Sequence, residues 1–516
     1  DRLTGPDGER LRAREAEARR AVSRLRSQAM LMTTEQAEQP AGKALLAQLE
    51  AAQKEYADAW REINNADPLT RVLTNQGFAD AAVARVRNEA HKSGGVVLVY
   101  MVGRDASFAV LSTDPGAAPQ VFTLGIDRTI STDLGPPPAN DRLASAGFRG
   151  ITLKPTAQPD RPAPTPTAVE GVALTDGVAT KLANHYLQQL ANPGFTPTRG
   201  IALASRSPKT APRPSAPELL GDAILPPPLV AKIKASGAKR LILVPDGPLH
   251  KLPFEALLVS GAGGPRYALD ELPAVCYAPS LAVLGVVLGR PRDLTGPDTL
   301  LTVGDPAYPE TPTGASTALP RLPYTAQESK RIRQFFPSER VTAFEGANAT
   351  ELNVVKALPG KRFVHLAAHG FADEAFGNAF AAIALTPGPG GREDSNNDGF
   401  LTLHEISRLK LAGCELTVLS ACVTNVGPQR PLEAGVTLAG AFLGAGSRGV
   451  MASCWSVDDQ ATAELMSAFF AAVRPEKGKG IAYADALRNA RQAIRKRPGW
   501  EAPFYWAPFV YVGPPD

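Results

Sequence analysis

Cysteine is scarce in this chain of 516 residues: there are four, and no two are spaced Cys-x-x-Cys. That excludes a disulfide framework and a thiolate zinc site, and it makes a reducing cytoplasm the expected compartment. No run of about 20 apolar residues occurs, so no membrane-spanning helix is expected. The start shows none of the basic, apolar and small-residue regions of an export signal. It begins at Asp1 rather than Met, which fits a fragment or a processed form. Charge of one sign is also lacking: the net charge is +4, too small to point to nucleic acid. The arginine-rich opening "ERLRAREAEARRAVSRLR" is interleaved with Glu9, Glu15 and Glu17, the pattern of a solvated helix face rather than a basic patch.

What is present is ordinary for a globular chain, 44% hydrophobic and 21% charged, with length for two or three domains. Residues 8–65 read as helical, because Leu45, Leu49, Ala52, Tyr56, Trp60 and Ile63 recur at spacings of three and four. "VVLVYMV" and "SFAVLST" flank "GRDA" and predict a strand–turn–strand at 96–113. From 131 to 228 proline accumulates, which reads as surface loop or linker interrupted by one helix near 176–191. After 236, short apolar runs ("RLILVPD", "TLLTVGD", "RFVHLAAHG", "AAIALTP", "ELTVLSAC", "RGVMASCW", "FVYVG") alternate with helical patterns such as "TAQESKRIRQFF". That alternation predicts an α/β layer around a mainly parallel sheet.

In such sheets functional groups gather at the carboxyl ends of strands. His369 and Cys422 each fall where a predicted strand ends, 53 residues apart. A cysteine with a distant histidine suits nucleophilic attack on a carbonyl, the fold supplying the proximity. A buried strand thiol explains Cys422 equally well at this point, since free cysteine is among the most buried residue types. His365 and His369 are four apart, but the run is a strand pattern and no third zinc ligand comes at a suitable spacing after it.

An ordered set of motifs shifts that balance: "VPDGPLHKLPFEAL" (244–257), "YAPSLAVL" (277–284), "VGDPAY" (303–308), "VHLAAHGF" (364–371), "DGFLTLHEI" (398–406), "VLSACVTN" (418–425), "LAGAFLGAGSRGVMASCWSVDDQAT" (438–462) and "YWAPFVYVG" (505–513). In these the final 280 or so residues resemble the CHAT family of caspase-like cysteine peptidases, often found downstream of tetratricopeptide repeats, and more distantly separase. Residues 70–130 look like the region that commonly leads into this domain. The resemblance implies a caspase-like α/β/α sandwich with a mainly parallel sheet over 236–516. Before it would come a helical region (1–69) and a smaller, pseudo-caspase-like α/β region (70–235). It implies a Cys422–His369 dyad with the backbone N–H groups of Gly370 and Cys422 as oxyanion hole. His365, His250, Cys276, Cys414 and Cys454 would be structural. Where many members carry an acidic residue after the cysteine, this chain has Val423.

By the same resemblance Trp455 is expected to wall the substrate cleft. Asp458 and Asp459 admit two readings. One is a pocket carboxylate favouring a basic residue before the scissile bond; the other is a helix cap and a carboxylate at the helix's positive end. "DSNNDGFLTLHE" (394–405) also admits two readings. As a calcium loop, Asp394, Asn396 and Asp398 take its first, third and fifth places. Phe400 would give its carbonyl, Thr402 the ninth place, and Glu405 a bidentate carboxylate. As a capped helix, Thr402 and Glu405 make a capping box, and the preceding "TPGPGGRE" cannot form an incoming helix.

The expected function is thus an intracellular cysteine endopeptidase acting on a protein, switched by an upstream repeat or sensor region or a separate activator. Neither nucleic acid nor membrane is an expected partner. The dyad requires no cofactor, and calcium is the one candidate. The competing readings are a non-catalytic module that keeps the fold and a calcium-responsive regulatory protein.

Overall fold

The computed structural model describes residues 6–30, 32, 35–36, 39–66, 76–126, 172–190, 216–261, 264–292, 294–308, 319–372, 381–389, 397–421, 424–425, 437–455, 458–475 and 479–515. The expected opening helix is a hairpin of two, Pro6–Met30 and Pro40–Ala66. Tyr56 of the predicted stripe and its neighbour Ala57 close on Ala18 and Val22 of the first helix in a small cluster of their own, with Leu49 and Ala52 of the stripe packed against it.

Among the described residues twelve strands form one sheet. Its amino-terminal part is β1 (Gly95–Met101), β2 (Ser107–Ser112), β3 (Gln120–Ile126) and β4 (Val172–Ala173). β5 (Arg240–Val244) comes next, then a separate hairpin of β6 (Leu258–Val259) and β7 (Arg266–Tyr267), then β8 (Ala274–Tyr277), β9 (Leu300–Pro306), β10 (Val341–Gly346) and β11 (Phe363–Ala367). A three-stranded sheet of β12 (Gly370–Phe371), β13 (Ala382–Ala384) and β14 (Phe400–Thr402) precedes β15 (Leu416–Ser420), β16 (Gly449–Ser453) and β17 (Phe509–Val512). The large sheet runs β10-β9-β11-β15-β16-β17-β8-β5-β1-β2-β3-β4. Seven of its eleven pairings are parallel, so the expected mainly parallel sheet is present. β1 pairs in parallel with β5, so a single sheet joins the region before residue 236 to the region after it.

Every residue of β11, β15 and β16 is buried. Continuous burial means both faces are covered, as a parallel sheet between two helical layers requires. One layer holds the helices Pro323–Arg333, Asp459–Val473 and Tyr483–Arg495. The other holds Gln76–Lys92 with Leu281–Leu288, and Leu403–Ser407 with Leu438–Ala445. Right-handed crossovers, leftward from β9 to β10 and rightward from β15 to β16, put their helices on opposite faces.

Two expectations need correction. The proline-rich stretch contains two further helices, Ala216–Ile224 and Pro227–Ala235. Proline stops a helix only in its interior; at its first turn the fixed φ starts one, and the second of these opens on Pro227 and Pro228. "AAIALTP" is a strand, but in the small sheet above the main one. Most of 131–215 lies outside the described residues. Among the described residues no helix is long and apolar enough to cross a membrane.

Candidate active site

β11 and β15 are adjacent and parallel, in the register Val364↔Thr417, Leu366↔Leu419 and Ala367↔Ser420. His369 stands just past the carboxyl end of β11, half-buried, and Gly370 opens β12. Its Nε2–H donates to the Pro320 carbonyl at 2.8 Å, which leaves the ring lone pair on Nδ1. Its ring packs at 5.2 Å on that of Tyr308, whose hydroxyl receives the His369 backbone N–H at 3.3 Å.

The Pro320 carbonyl is itself held in place. Asp305, at the tip of β9, has φ of 45°, a conformation that non-glycine residues seldom adopt. From there its carboxylate accepts from Arg321 Nε and Nη2 at 2.8 and 2.5 Å and from the Leu322 N–H at 2.9 Å. Arg321 holds the Asp305 carboxyl below the usual carboxylate range. Asp305, Arg321 and Tyr308, which hold the segment around His369, are residues that sequence reasoning missed. The only signal for Asp305 was its place in "VGDPAY" at a strand end.

Beneath the site lies a buried polar network. Glu328, on the Pro323–Arg333 helix, accepts from His365 Nε2–H at 2.8 Å and from the Ser420 hydroxyl at 3.1 Å. His365 Nδ1 lies 2.8 Å from the Thr302 hydroxyl. The expected structural role of His365 therefore takes a definite form, tying β9, β11 and β15 to the helix above them.

Cys422 and Val423 lie outside the described residues. The chain on either side is fastened. Ser453, at the end of β16, bonds the Ala421 carbonyl and the Thr424 hydroxyl, and its carbonyl accepts from the Asn425 N–H at 2.9 Å. The Asn425 side chain reaches the His250 carbonyl at 3.4 Å, so the "DGPLHKLPFEAL" segment backs the loop. The other three cysteines are buried free thiols. Burial pushes the Cys454 thiol up to about 12 and raises that of Cys414.

Asp458 caps the Asp459–Val473 helix, accepting from the Ala461 N–H at 2.8 Å. Asp459 is raised above the usual carboxylate range by burial, then by Glu328 and Asp458, while His369 lowers it. The structure places Trp455 in the main core, 5% exposed, rather than on an open wall, because its indole N–H is drawn inward to the Phe504 carbonyl at 3.4 Å.

Residues 215–514 match the family model described as CHAT domain, more than half of the chain. The chain belongs to the CHAT domain family. Human tetratricopeptide repeat protein 28 is 25% identical over 310 residues, 53% of this chain, and this chain spans only 12% of that protein. A structure of the Saccharomyces cerevisiae separase–securin complex is similar at 15% identity and TM-score 0.35, over 54% of this chain and 16% of the other. The Arg-specific cysteine proteinase gingipain R (RgpB) of Porphyromonas gingivalis is similar at 13% identity and TM-score 0.36, over 58% and 67%.

In this CHAT chain the segment between the two strand tips includes the candidate calcium loop. Asp394 and Asn396 lie outside the described residues. Gly399, with φ of +86°, makes the expected sharp turn; a side chain there would meet the Leu385 carbonyl at 2.8 Å. Asp398 accepts from the Phe400 N–H at 2.8 Å, and Thr402 and Glu405 form the capping box of the Leu403–Ser407 helix. Glu405 also pairs with Arg19 of the first helix at 3.1 Å. Among the described residues no group of three acidic, histidine or cysteine side chains is arranged to hold a metal ion.

Glu351 is 2% exposed and accepts from the Gly399 N–H at 3.0 Å. Burial, then Glu405 and Asp398, push its carboxyl from 4.5 up to about 10. A carboxyl raised on folding holds its proton in the native state, so its stability contribution is full below about pH 4.5 and falls as pH rises toward 10. Glu351→Gln keeps the acceptor and removes the titration. The variant is expected to gain on the order of 1–3 kcal/mol over wild type at pH 8 and nothing at pH 4.5. Denaturant melts of both proteins at the two pH values measure it, and equal slopes with pH would remove the assignment.

Proposed function

We propose that this chain is a cysteine endopeptidase that cleaves a protein substrate through Cys422 and His369. The observation that carries the reading is the register of β11 on β15. Ala367, the last residue of β11, is paired with Ser420, the last of β15, and in the sequence His369 and Cys422 each follow two residues later. Neighbouring strands are about 4.8 Å apart. Both strands thus end together at the carboxyl end of the sheet, the end where open α/β sheets carry their sites.

The ring's orientation sets the chemistry. With Nε2–H committed to Pro320, His369 Nδ1 is the nitrogen that takes the Cys422 thiol proton. The thiolate sulfur bonds to the scissile carbonyl carbon, and the carbonyl electrons move onto oxygen, received by the N–H groups of Gly370 and Cys422. As the carbonyl re-forms, the C–N bond breaks, and Nδ1–H protonates the departing amine. Water then hydrolyses the thioester with His369 as base. Asp459 supplies the carboxylate of the substrate pocket and favours a basic residue before the cut, and Asp458 supports it as helix cap.

The cytoplasm is the proposed compartment, because a reducing medium keeps the nucleophile a thiol. An upstream repeat region is proposed to switch the enzyme, in keeping with the tetratricopeptide name of the human relative. Calcium at Asp394–Glu405 is proposed as a second input; calorimetric titration of the full chain should show heat that Asp398→Ala abolishes, and no heat with wild type removes it.

The direct test is the rate of alkylation at each cysteine, read by peptide mass spectrometry. Cys276, Cys414 and Cys454 are at most 4% exposed, so slow reaction is expected of all three. Cys422 is expected to react at least about tenfold faster, and to slow when His369 is replaced by alanine. If Cys422 is no faster than the buried three, the non-catalytic reading replaces this one.

A further inference from the structure

Gly370 stands on a slight support. Its strand, β12, is two residues long, and β13 and β14 beside it are three each. Strands this short keep their place through what they pack against. Ile383 and Leu401 anchor the small sheet in the main core, while Ala382, Ala384 and Phe400 form a separate small cluster. At the end of β14 comes the capping box, and there the amino-terminal hairpin arrives.

Glu405 divides its two carboxylate oxygens between the small sheet and the hairpin. Oε2 accepts from the Thr402 N–H at 2.9 Å and from the Thr402 hydroxyl at 2.7 Å. Oε1 accepts from Arg19 Nη1 at 3.1 Å. Among the described residues Arg19 is the only cation within ion-pair distance of Glu405. Both side chains are 18% exposed, so water screens the pair only in part. Arg19 is braced from its own helix, its Nε lying 3.5 Å from Glu15, which is buried and 3.5 Å from His404 Nε2.

From Thr402 the contact continues by strand register. Thr402 pairs with Ala382 and Leu401 with Ile383; Ala382 and Ile383 pair in turn with Phe371 and Gly370. The Leu403 N–H donates to the Ala381 carbonyl at 2.8 Å, and the Ala384 N–H to the His369 carbonyl at 2.8 Å. The Phe371 and Phe400 rings meet edge to face at 5.9 Å. A contiguous set of hydrogen bonds and packed rings therefore joins the hairpin to the backbone at 369–370.

The geometry points to Arg19 as a positioning residue for the Gly370 N–H, acting through Glu405 and the three-stranded sheet. This rests on the reading of Gly370 as an oxyanion donor. Without Arg19 the Glu405 carboxylate is left largely buried and without its cation, which loosens the capping box that ends β14. A displaced Gly370 N–H does not hinder the thiol itself. It weakens the stabilisation of charge that develops only in the transition state.

The experiment compares the full chain with Arg19→Gln in buffer holding a chelator, so that calcium at the neighbouring loop plays no part. Hydrogen exchange read by mass spectrometry should be about tenfold faster in the variant over 381–389 and 397–403, and unchanged over 363–367. Cleavage of denatured lysate should slow about 10- to 100-fold. Alkylation of Cys422 by iodoacetamide uses no oxyanion hole and should keep its wild-type rate. Arg19→Lys retains the charge and should recover part of both losses. Arg14→Gln breaks pairs with Glu55 and Glu62 inside the hairpin and should match wild type. Exchange over the small sheet that Arg19→Gln leaves unchanged overturns the proposal. So does an equal rise in Arg14→Gln, or alkylation that slows as much as cleavage. Exchange needs no turnover: a rise confined to the small sheet in a chain that cleaves nothing would sink the peptidase reading and leave the positioning of Gly370 standing.

Discussion

Incubated with a denatured cell lysate, the full chain is expected to produce new peptide termini that the Cys422→Ala variant does not. Alanine leaves the strand tip's size nearly unchanged and removes the only atom that can form the thioester. The expected loss is therefore complete, not graded. His369→Ala should act differently. A cysteine is partly ionised near neutral pH even without help, so the variant keeps a nucleophile and loses the group that protonates the leaving amine. A fall of about 10²–10⁴-fold is the ordinary worth of such a group. Asp305→Asn tests the support behind it. The amide keeps one acceptor for the Leu322 N–H but loses the charge that holds Arg321, so the Pro320 carbonyl is held less firmly. A smaller loss is expected there, with the pH profile displaced because the His369 ring is no longer fixed by its Nε2–H. Termini seen equally with wild type and Cys422→Ala would show that the cleavage comes from elsewhere. The set of true termini also reads the residue before the cut, where Asp459 favours Arg or Lys.

The strand tips were legible in the sequence because they depend on local pattern. A buried parallel strand has to be apolar throughout, so "FVHLA" and "LTVLS" stand out, and each strand ends where its apolar run does. The support around His369 was not legible. It depends on residues 305, 320, 321 and 369 meeting in space, and on a backbone conformation at Asp305 that its residue type would not suggest. Glu328 was hidden for another reason. In "TAQESKRIRQFF" it reads as one more charge on a solvated helix, and only the packing of that helix onto β9 and β11 makes it the buried acceptor for His365 and Ser420. Trp455 misled in the opposite sense. An aromatic residue beside a predicted site reads as a cleft wall, while a strand end bordered by Pro503–Trp506 draws it into the core. Proline misled as well, since composition alone does not separate a linker from a helix that begins on proline.

Arg491→Met is expected to be the most destabilising single change away from the site, at about 3–5 kcal/mol. Arg491 lies on the Tyr483–Arg495 helix and is 1% exposed. Its guanidinium donates to Glu255 and to the Phe509 carbonyl of β17. The second oxygen of Glu255 accepts from the Tyr277 hydroxyl at 2.5 Å, and that hydroxyl accepts from the Phe254 N–H at 2.7 Å. One buried group thus ties the helix to β17, β8 and the segment after β5. Methionine fills much of the volume but leaves the Glu255 carboxylate buried without its cation, and that uncompensated charge is where the cost arises. Arg491→Met combined with Glu255→Leu removes both charges and should regain a large part of the loss, since a buried ion pair is weak evidence for stability over an apolar pair of like size. Urea midpoints of wild type, the two single variants and the double variant complete the cycle. A single-variant cost below about 1 kcal/mol would mean that water reaches the pair, and the network would then lose its role as the tie between the helical layer and the middle of the sheet.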